Sequence, residues 1–334
     1  MGRRRYNINI RFRIIMTTYK EVKGTNIQAL ASDPSNPNNG QIWFNTTTYI
    51  VKGNIGYGTG SWATGGNVNT ARDRLAAAGT ATAALAFGGN DGSVEDKTEK
   101  YNGTSWTEVN NLNTARMTLT GAGTQTAALG FGGNDGSVTE DTETWNGTNW
   151  TEVNNLNTAR QQLAGCGASN TAALGFGGYD GSNNTVNTET WNGTNWTEVN
   201  NLGSARYGLR GVGTTTAALA FGGEPGGAKT ELWNGTNWTE VNDLNAARYS
   251  LGNAGTSTAA LAFGGLAAPK GALTETWNGT NWTEVGDLAT SRGKLIGAGI
   301  NTAALAISGD APGGITAATE EWNAGDTTST LGSE

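Results

Sequence analysis

Histidine is absent from the 334 residues, and cysteine occurs once, at Cys166. Without histidine the chain cannot build a Ser-His-Asp or Cys-His triad, an imidazole acid–base pair or a histidine-ligated metal centre. A single cysteine forms no disulfide within the chain and gives no sign of an oxidising compartment. Charged residues make up only 15% of the sequence. No run of about 18 apolar residues exists, so no membrane-spanning helix and no membrane insertion are expected. The carboxylates at Asp91, Glu95 and Asp96 lack the spacing of an EF-hand. These absences weigh against an enzyme, and neither cofactor nor metal is expected.

Glycine, by contrast, fills 52 positions, and hydrophobic residues make up 36%. That is too apolar for disorder and too rich in glycine for a helical bundle. Charge is unevenly spread. Residues 1–24 carry seven basic side chains and one acidic, a balance of +6, whereas the remainder carries 14 basic and 27 acidic, a balance of −13. An acidic body argues against nucleic acid as a partner. The basic start is unlike a secretory leader, because Arg11 and Arg13 interrupt any apolar stretch and no small-residue cleavage site follows. Met16 offers an alternative start, which would make residues 1–15 an upstream extension.

An internal repeat dominates the rest. Phe-Gly-Gly recurs at Phe87, Phe131, Phe176, Phe221 and Phe263, with a degenerate sixth copy at Ile307-Ser308-Gly309; the steps are 44, 45, 45, 42 and 44 residues. An arginine recurs in phase at Arg72, Arg116, Arg160, Arg206, Arg248 and Arg292, each followed three residues later by leucine. Within a unit the pattern is that of strands. Ala-Ala-Leu-Ala-Phe at Ala83–Phe87 is a short apolar run between Thr/Gly turns, which suits a buried strand. Asn146-Gly147, flanked by Trp145 and Thr151, predicts a hairpin with a type I′ turn. The second unit thus reads as strands at Leu119–Gly123, Ala127–Phe131, Thr142–Trp145 and Trp150–Val153. Four antiparallel strands per unit make the blade of an all-β propeller.

The ends predict how the ring closes. Trp322 stands where a third strand belongs, yet Thr327–Glu334 lacks the tryptophan of a fourth. Tyr57 and Trp62, followed by Asn69–Arg72, match Tyr101 and Trp106, followed by Asn113–Arg116. The N-terminal side therefore supplies the outer strand of the last of six blades. A seventh blade built from Gln41–Trp62 is the alternative. The domain expectation is an attachment segment over 1–54 and a propeller over 55–334.

A Gly-Gly doublet after an apolar strand, then an aromatic, then a second tryptophan, resembles the kelch repeat over residues 57–323. The sequence departs from that pattern in the short gap between its two aromatics. Galactose oxidase also has a kelch-type propeller, but its copper site uses histidines, so that activity does not carry over. A second resemblance lies ahead of the propeller. Met16–Lys20, Asp33–Pro37 and Gly40–Thr48 look like the start of virion and tail-fibre proteins of tailed bacteriophages. There Gln41–Asn45 and Tyr49–Lys52 read as a hairpin after a Pro/Asn linker at Asp33–Asn39.

Repeated residues do repeated structural jobs. The arginine series is expected to pair with Glu99, Glu143, Glu189, Glu231, Glu275 and Glu320 or to cap backbone carbonyls, and Trp106, Trp150, Trp196, Trp238 and Trp282 are expected to pack between blades rather than to stack sugars. Asn-Gly-Thr and Asn-Trp-Thr read as turn chemistry rather than glycosylation acceptors. What varies is the loop after Phe-Gly-Gly. It offers Asn90, Asp91 and Ser93, then Asn134, Asp135 and Ser137, then Tyr179, Asp180 and Ser182, and changes character at Glu224, at Leu266–Pro269 and at Asp310–Gly313. All these loops fall on one face of a propeller, where polar side chains are candidate ligand contacts, against the alternative that each is an ordinary Asx turn. The two resemblances imply a non-enzymatic phage virion protein, made in the host cytoplasm. Its N-terminal segment would bind other virion proteins, and its propeller a host-surface glycan or receptor, with a homo-oligomer left open. A purely structural capsid or tail decoration, and a glycan-degrading enzyme built on two carboxylates, are the alternatives.

Overall fold

The computed structural model describes residues 28–32, 42–48, 50–54, 60–266, 271–325 and 328–330. No helix occurs among them. The chain forms two compact units: Met1–Gly56 with Thr327–Glu334, and Tyr57–Asp326.

The larger unit is a six-bladed β-propeller. Each blade is a four-stranded antiparallel sheet whose strands run from the axis outwards. Blade 1 comprises Ala76–Thr80, Ala83–Phe87, Thr98–Tyr101 and Trp106–Val109. Blade 2 repeats this with Thr120–Thr124, Ala127–Phe131, Thr142–Trp145 and Trp150–Val153, one residue from the expected start of the first strand. Blades 3, 4 and 5 begin at Ala164, Arg210 and Gly252 and end at Val199, Glu240 and Val285. Blade 6 takes Ile296–Ile300, Ala303–Ile307 and Thr319–Asn323 from the end of the repeats and Ser61–Thr64 from their beginning, pairing Trp322 with Trp62. The innermost strands contact one another around the axis, the last touching the first. The expected closure by an N-terminal strand is therefore what the structure has.

The seventh-blade alternative fails. Ile42–Asn45 and Ile50–Asn54 form a hairpin in the other unit, with Gln28–Leu30 added in parallel and Thr328–Thr330 antiparallel. The C-terminal strand, expected within 55–334, thus pairs outside the blades. The hairpin turn is held by Asn45, whose Oδ1 accepts from the N–H of Thr47 and of Thr48, both at 3.0 Å. Gln41, Tyr49, Tyr57, the 33–39 linker, residues 1–15 and residues 267–269 lie outside the described residues.

Packing between blades explains the repeated residues. Phe87 stacks against Trp150 of the next blade at 4.7 Å, and the Trp150 indole N–H bonds Thr98 Oγ1 at 3.0 Å. Phe131 with Trp196, Phe176 with Trp238, Phe221 with Trp282 and Phe263 with Trp62 repeat the contact at 4.7–5.0 Å. The second tryptophans accordingly lie between blades, each contributing roughly 2–3 kcal/mol by burial. The inner strands must be thin to allow this. A Cβ at Gly121 would lie 2.6 Å from the Ala77 carbonyl oxygen and 2.8 Å from Phe87 Cζ.

The arginine–glutamate pairs form as expected. Arg116 Nη2 meets Glu143 Oε1 at 2.8 Å with both side chains fully buried, and five equivalent pairs span 2.7–2.9 Å. Arg116 Nη1 also donates to the carbonyls of Gly132 and Asp141, while Glu143 Oε2 accepts from the backbone N–H of Asn113. Each pair thereby pins the linker from one blade onto the next. The Asn-Gly hairpins differ from expectation: four residues, Asn146–Asn149, separate the paired Trp145 and Trp150, and only Gly147 of the first two has a positive φ. Asn146 Oδ1 accepts from the N–H of Thr148 and Asn149, so a side-chain cap replaces the type I′ turn.

Candidate functional site

The first residue of each inner strand pairs with the last residue of the second strand, as Ala76 does with Phe87. The loop after Phe-Gly-Gly and the linker carrying the buried arginine therefore open on the same face of the ring. On that face the residue after each Gly-Gly bridges to the residue after each buried arginine: Asp73 to Asn90, Met117 to Asn134, Gln161 to Tyr179, Tyr207 to Glu224, Tyr249 to Leu266 and Gly293 to Asp310.

One residue further in, six backbone hydrogen bonds close a circle around the axis. The N–H of Arg74 donates to the Lys294 carbonyl, Thr118 to Arg74, Gln162 to Thr118, Gly208 to Gln162, Ser250 to Gly208 and Lys294 to Ser250, at 2.7–2.9 Å. Five of these residues carry side chains yet hold φ between 50° and 55°, a conformation that costs a non-glycine residue roughly 1–2 kcal/mol. The sixth, Gly208, holds φ 66° without that cost. The circle aims the neighbouring side chains at one another. Thr118 Oγ1 lies 3.4 Å from Gln161 Oε1, and the Tyr207 and Tyr249 rings meet edge-on at 6.2 Å.

Two clusters of charge stand at this mouth. Lys294 Nζ reaches Asp310 at 3.2 Å and Asp73 at 3.4 Å, and Arg74 approaches Asp73 at 3.5 Å. Burial raises the Asp73 carboxyl above its ordinary range against the pull of those two cations. Arg210 opens the inner strand of blade 4, where the other blades have Ala76, Thr120, Ala164, Gly252 and Ile296. Desolvation likewise raises the Tyr207 hydroxyl, helped by Tyr249 and Glu224. Deeper in, glycines and alanines of all six inner strands, with Cys166, Val212 and Asn253, line a cavity of about 110 Å³.

The loop residues expected as ligand contacts lie on this face, but much of their hydrogen bonding is spent locally. Asp91 Oδ1 accepts from Ser93 N–H and Oγ, Asp135 Oδ1 from the same groups of Ser137, and Asp180 Oδ1 from Ser182 and Asn183. Backbone donors hold the Asp91 and Asp180 carboxyls below their usual range. Asn90 and Asn134 cap Gly92 and Gly136, and Tyr179 donates its hydroxyl to the Gly181 carbonyl. Apart from the Tyr179 contact, these are Asx turns. Glu224 stands beside Tyr207 at the inner edge of its loop.

The sequence reading passed over the ring nearer the axis. Its signal was present: between each buried arginine and its leucine lies a pair that differs in every copy, Asp73-Arg74, Met117-Thr118, Gln161-Gln162, Tyr207-Gly208, Tyr249-Ser250 and Gly293-Lys294. Among the described residues no group of three or more His, Cys, Asp or Glu side chains is placed to hold a metal ion. No known family matches the chain, and no curated protein is similar to it.

Proposed function

We propose that this is a virion-associated binding protein of a tailed bacteriophage, a tail-fibre or tail-tip component that recognises a host-surface glycan or receptor and catalyses nothing. The N-terminal segment would attach it to other virion proteins, and the kelch-like propeller would present its axial face outwards. One observation carries this reading: copies that agree at the buried arginine, leucine, glutamate and tryptophan disagree side by side on one face. A frame kept constant under a changing surface is the arrangement recognition needs. The partly exposed tyrosines 179, 207 and 249 suit sugar faces, and modest single sites suffice where many copies act together.

The test is binding of the full chain to intact bacteria infected by the phage and to their purified surface polysaccharides. Saturable binding that falls when Tyr179 and Tyr207 are both replaced by alanine, with the thermal midpoint kept, is the expected result. No binding to a susceptible host would transfer the protein to structural decoration. A second reading has one observation in its favour: Asp73 and Asp310 are a non-repeated carboxylate pair, both within 3.4 Å of Lys294 Nζ. Release of reducing ends from host polysaccharide, abolished in Asp310→Asn, would make the protein a glycan-degrading enzyme.

A further inference from the structure

Six arginines of the propeller are buried and each holds a glutamate; a seventh, half-buried, does not. Arg210 is the seventh. Its Nε donates to the Leu251 carbonyl at 2.5 Å and its Nη2 to the Leu295 carbonyl at 3.1 Å, so the guanidinium reaches from blade 4 across blades 5 and 6. Among the described residues it makes no ion pair, although Glu224 belongs to the adjoining loop and Lys294, which holds Asp73 and Asp310, precedes the Leu295 whose carbonyl it meets. Arg74 and Lys294 are compensated by those aspartates, which leaves Arg210 as the uncompensated cation of the mouth among the described residues. Nothing in the architecture requires it, because the equivalent position in other blades is alanine, threonine, glycine or isoleucine. A half-buried guanidinium held on backbone carbonyls without a carboxylate keeps its charge available to a ligand, and such unpaired charges are kept where a function needs them.

We infer that Arg210 is the anchor of an anion subsite at the axial mouth, which takes the carboxylate of an acidic sugar such as a uronic acid. Rings of Tyr207 and Tyr249 stand beside the gap that Gly208, the single residue of the hydrogen-bonded circle without a side chain, leaves in the rim. They provide the flat apolar surface that a pyranose face requires. The cavity below, about 110 Å³, is far under the ~300–1,000 Å³ of pockets that enclose small molecules and is lined by residues deeper than Arg210, so the ligand would sit at the mouth rather than within the channel. A planar fork with donors to spare is suited to a carboxylate at that place.

This inference rests on the axial face being the recognition face, and the experiment separates the two. The full chain is titrated with glucuronate, with glucose as neutral control and inorganic sulfate as free-anion control, by calorimetry and by the fluorescence of its aromatic residues. Expected is saturable glucuronate binding that weakens about tenfold or more in Arg210→Gln, with glucose binding much more weakly to both forms. Equal glucuronate affinity in both forms overturns the subsite, as does sulfate binding as well as glucuronate, which would mark an indifferent anion site. If Arg210→Gln fails to fold, Arg210→Lys and the wild-type titration decide: absence of glucuronate binding to the wild type overturns the inference. Cell binding that persists while glucuronate binding is absent leaves the recognition reading standing and removes only the subsite. Glucuronate binding without cell binding does the reverse.

Discussion

The indole N–H of Trp106 and the hydroxyl of Thr319 are both buried without a hydrogen-bond partner, although their counterparts bond at every other blade junction. Trp150 to Thr98, Trp196 to Thr142, Trp238 to Thr188, Trp282 to Thr230 and Trp62 to Thr274 are joined at 3.0–3.1 Å. The exception falls between blades 6 and 1, where Ile307 replaces the phenylalanine on which the tryptophan elsewhere stacks. The junction that closes the ring therefore lacks the tryptophan–threonine bond that the other five have.

That difference is measurable with one substitution made twice. Thr98→Val leaves the Trp150 indole N–H buried and unpaired, and should cost about 1–3 kcal/mol. Thr319→Val removes a hydroxyl that bonds nothing and should be close to neutral. Urea denaturation of the two variants checks this; equal losses would show that Thr319 is bonded after all.

The buried ion pairs respond to single and double replacement differently. Arg160→Met strands Glu189 in the interior and should cost about 3–5 kcal/mol. Adding Glu189→Leu removes the stranded charge, so the double variant should lose less than the two single losses combined, in a thermal double-mutant cycle.

Alkaline stability should report on Tyr101. Its hydroxyl bonds Glu321 of blade 6, and burial first, then that carboxylate, push its pKa up to about 12. Being raised in the folded protein, it favours the neutral phenol: the contribution is fully present below pH 10 and is lost as pH rises through about 12. Midpoints measured across that window should fall less steeply for Tyr101→Phe than for the wild type.

The thin inner strands set a steric limit. Gly121→Ala would force a Cβ against the Ala77 carbonyl and the Phe87 ring, and a loss of about 1–3 kcal/mol is expected. Scanning calorimetry would register it as a lowered midpoint.

Most of the propeller was legible in the repeat, because Phe131, Trp150, Arg116 and Glu143 each recur at a fixed phase and each make one inter-blade or linker contact. Closure was legible from the missing fourth tryptophan. Two things were not. The pairing of Thr328–Thr330 with Lys52–Asn54 joins segments that share no repeat, so no period announces it. Nor did Arg210 stand out as a lone charge, since only the geometry shows that its neighbours at Leu251 and Leu295 offer carbonyls and no carboxylate. The loop aspartates drew attention through their composition, yet Asp135 is occupied by its own turn. The changing pairs beside Arg206 and Arg248 were the better sign of where the surface differs.

The strand at Ser61–Thr64 has a consequence in time. It leaves the ribosome before any complete blade, yet its partner Thr319–Asn323 is made more than 250 residues later, on the order of tens of seconds at cellular rates of synthesis. Until then Trp62 lacks Trp322, and Phe263, its partner in blade 5, is itself made about 200 residues after it. A chain broken off before that point holds a free edge at one end and an unfinished sheet at the other, each complementary to the opposite end of a second such chain. Truncated products should therefore link into chains of molecules, while a finished molecule pairs that edge with its own strand.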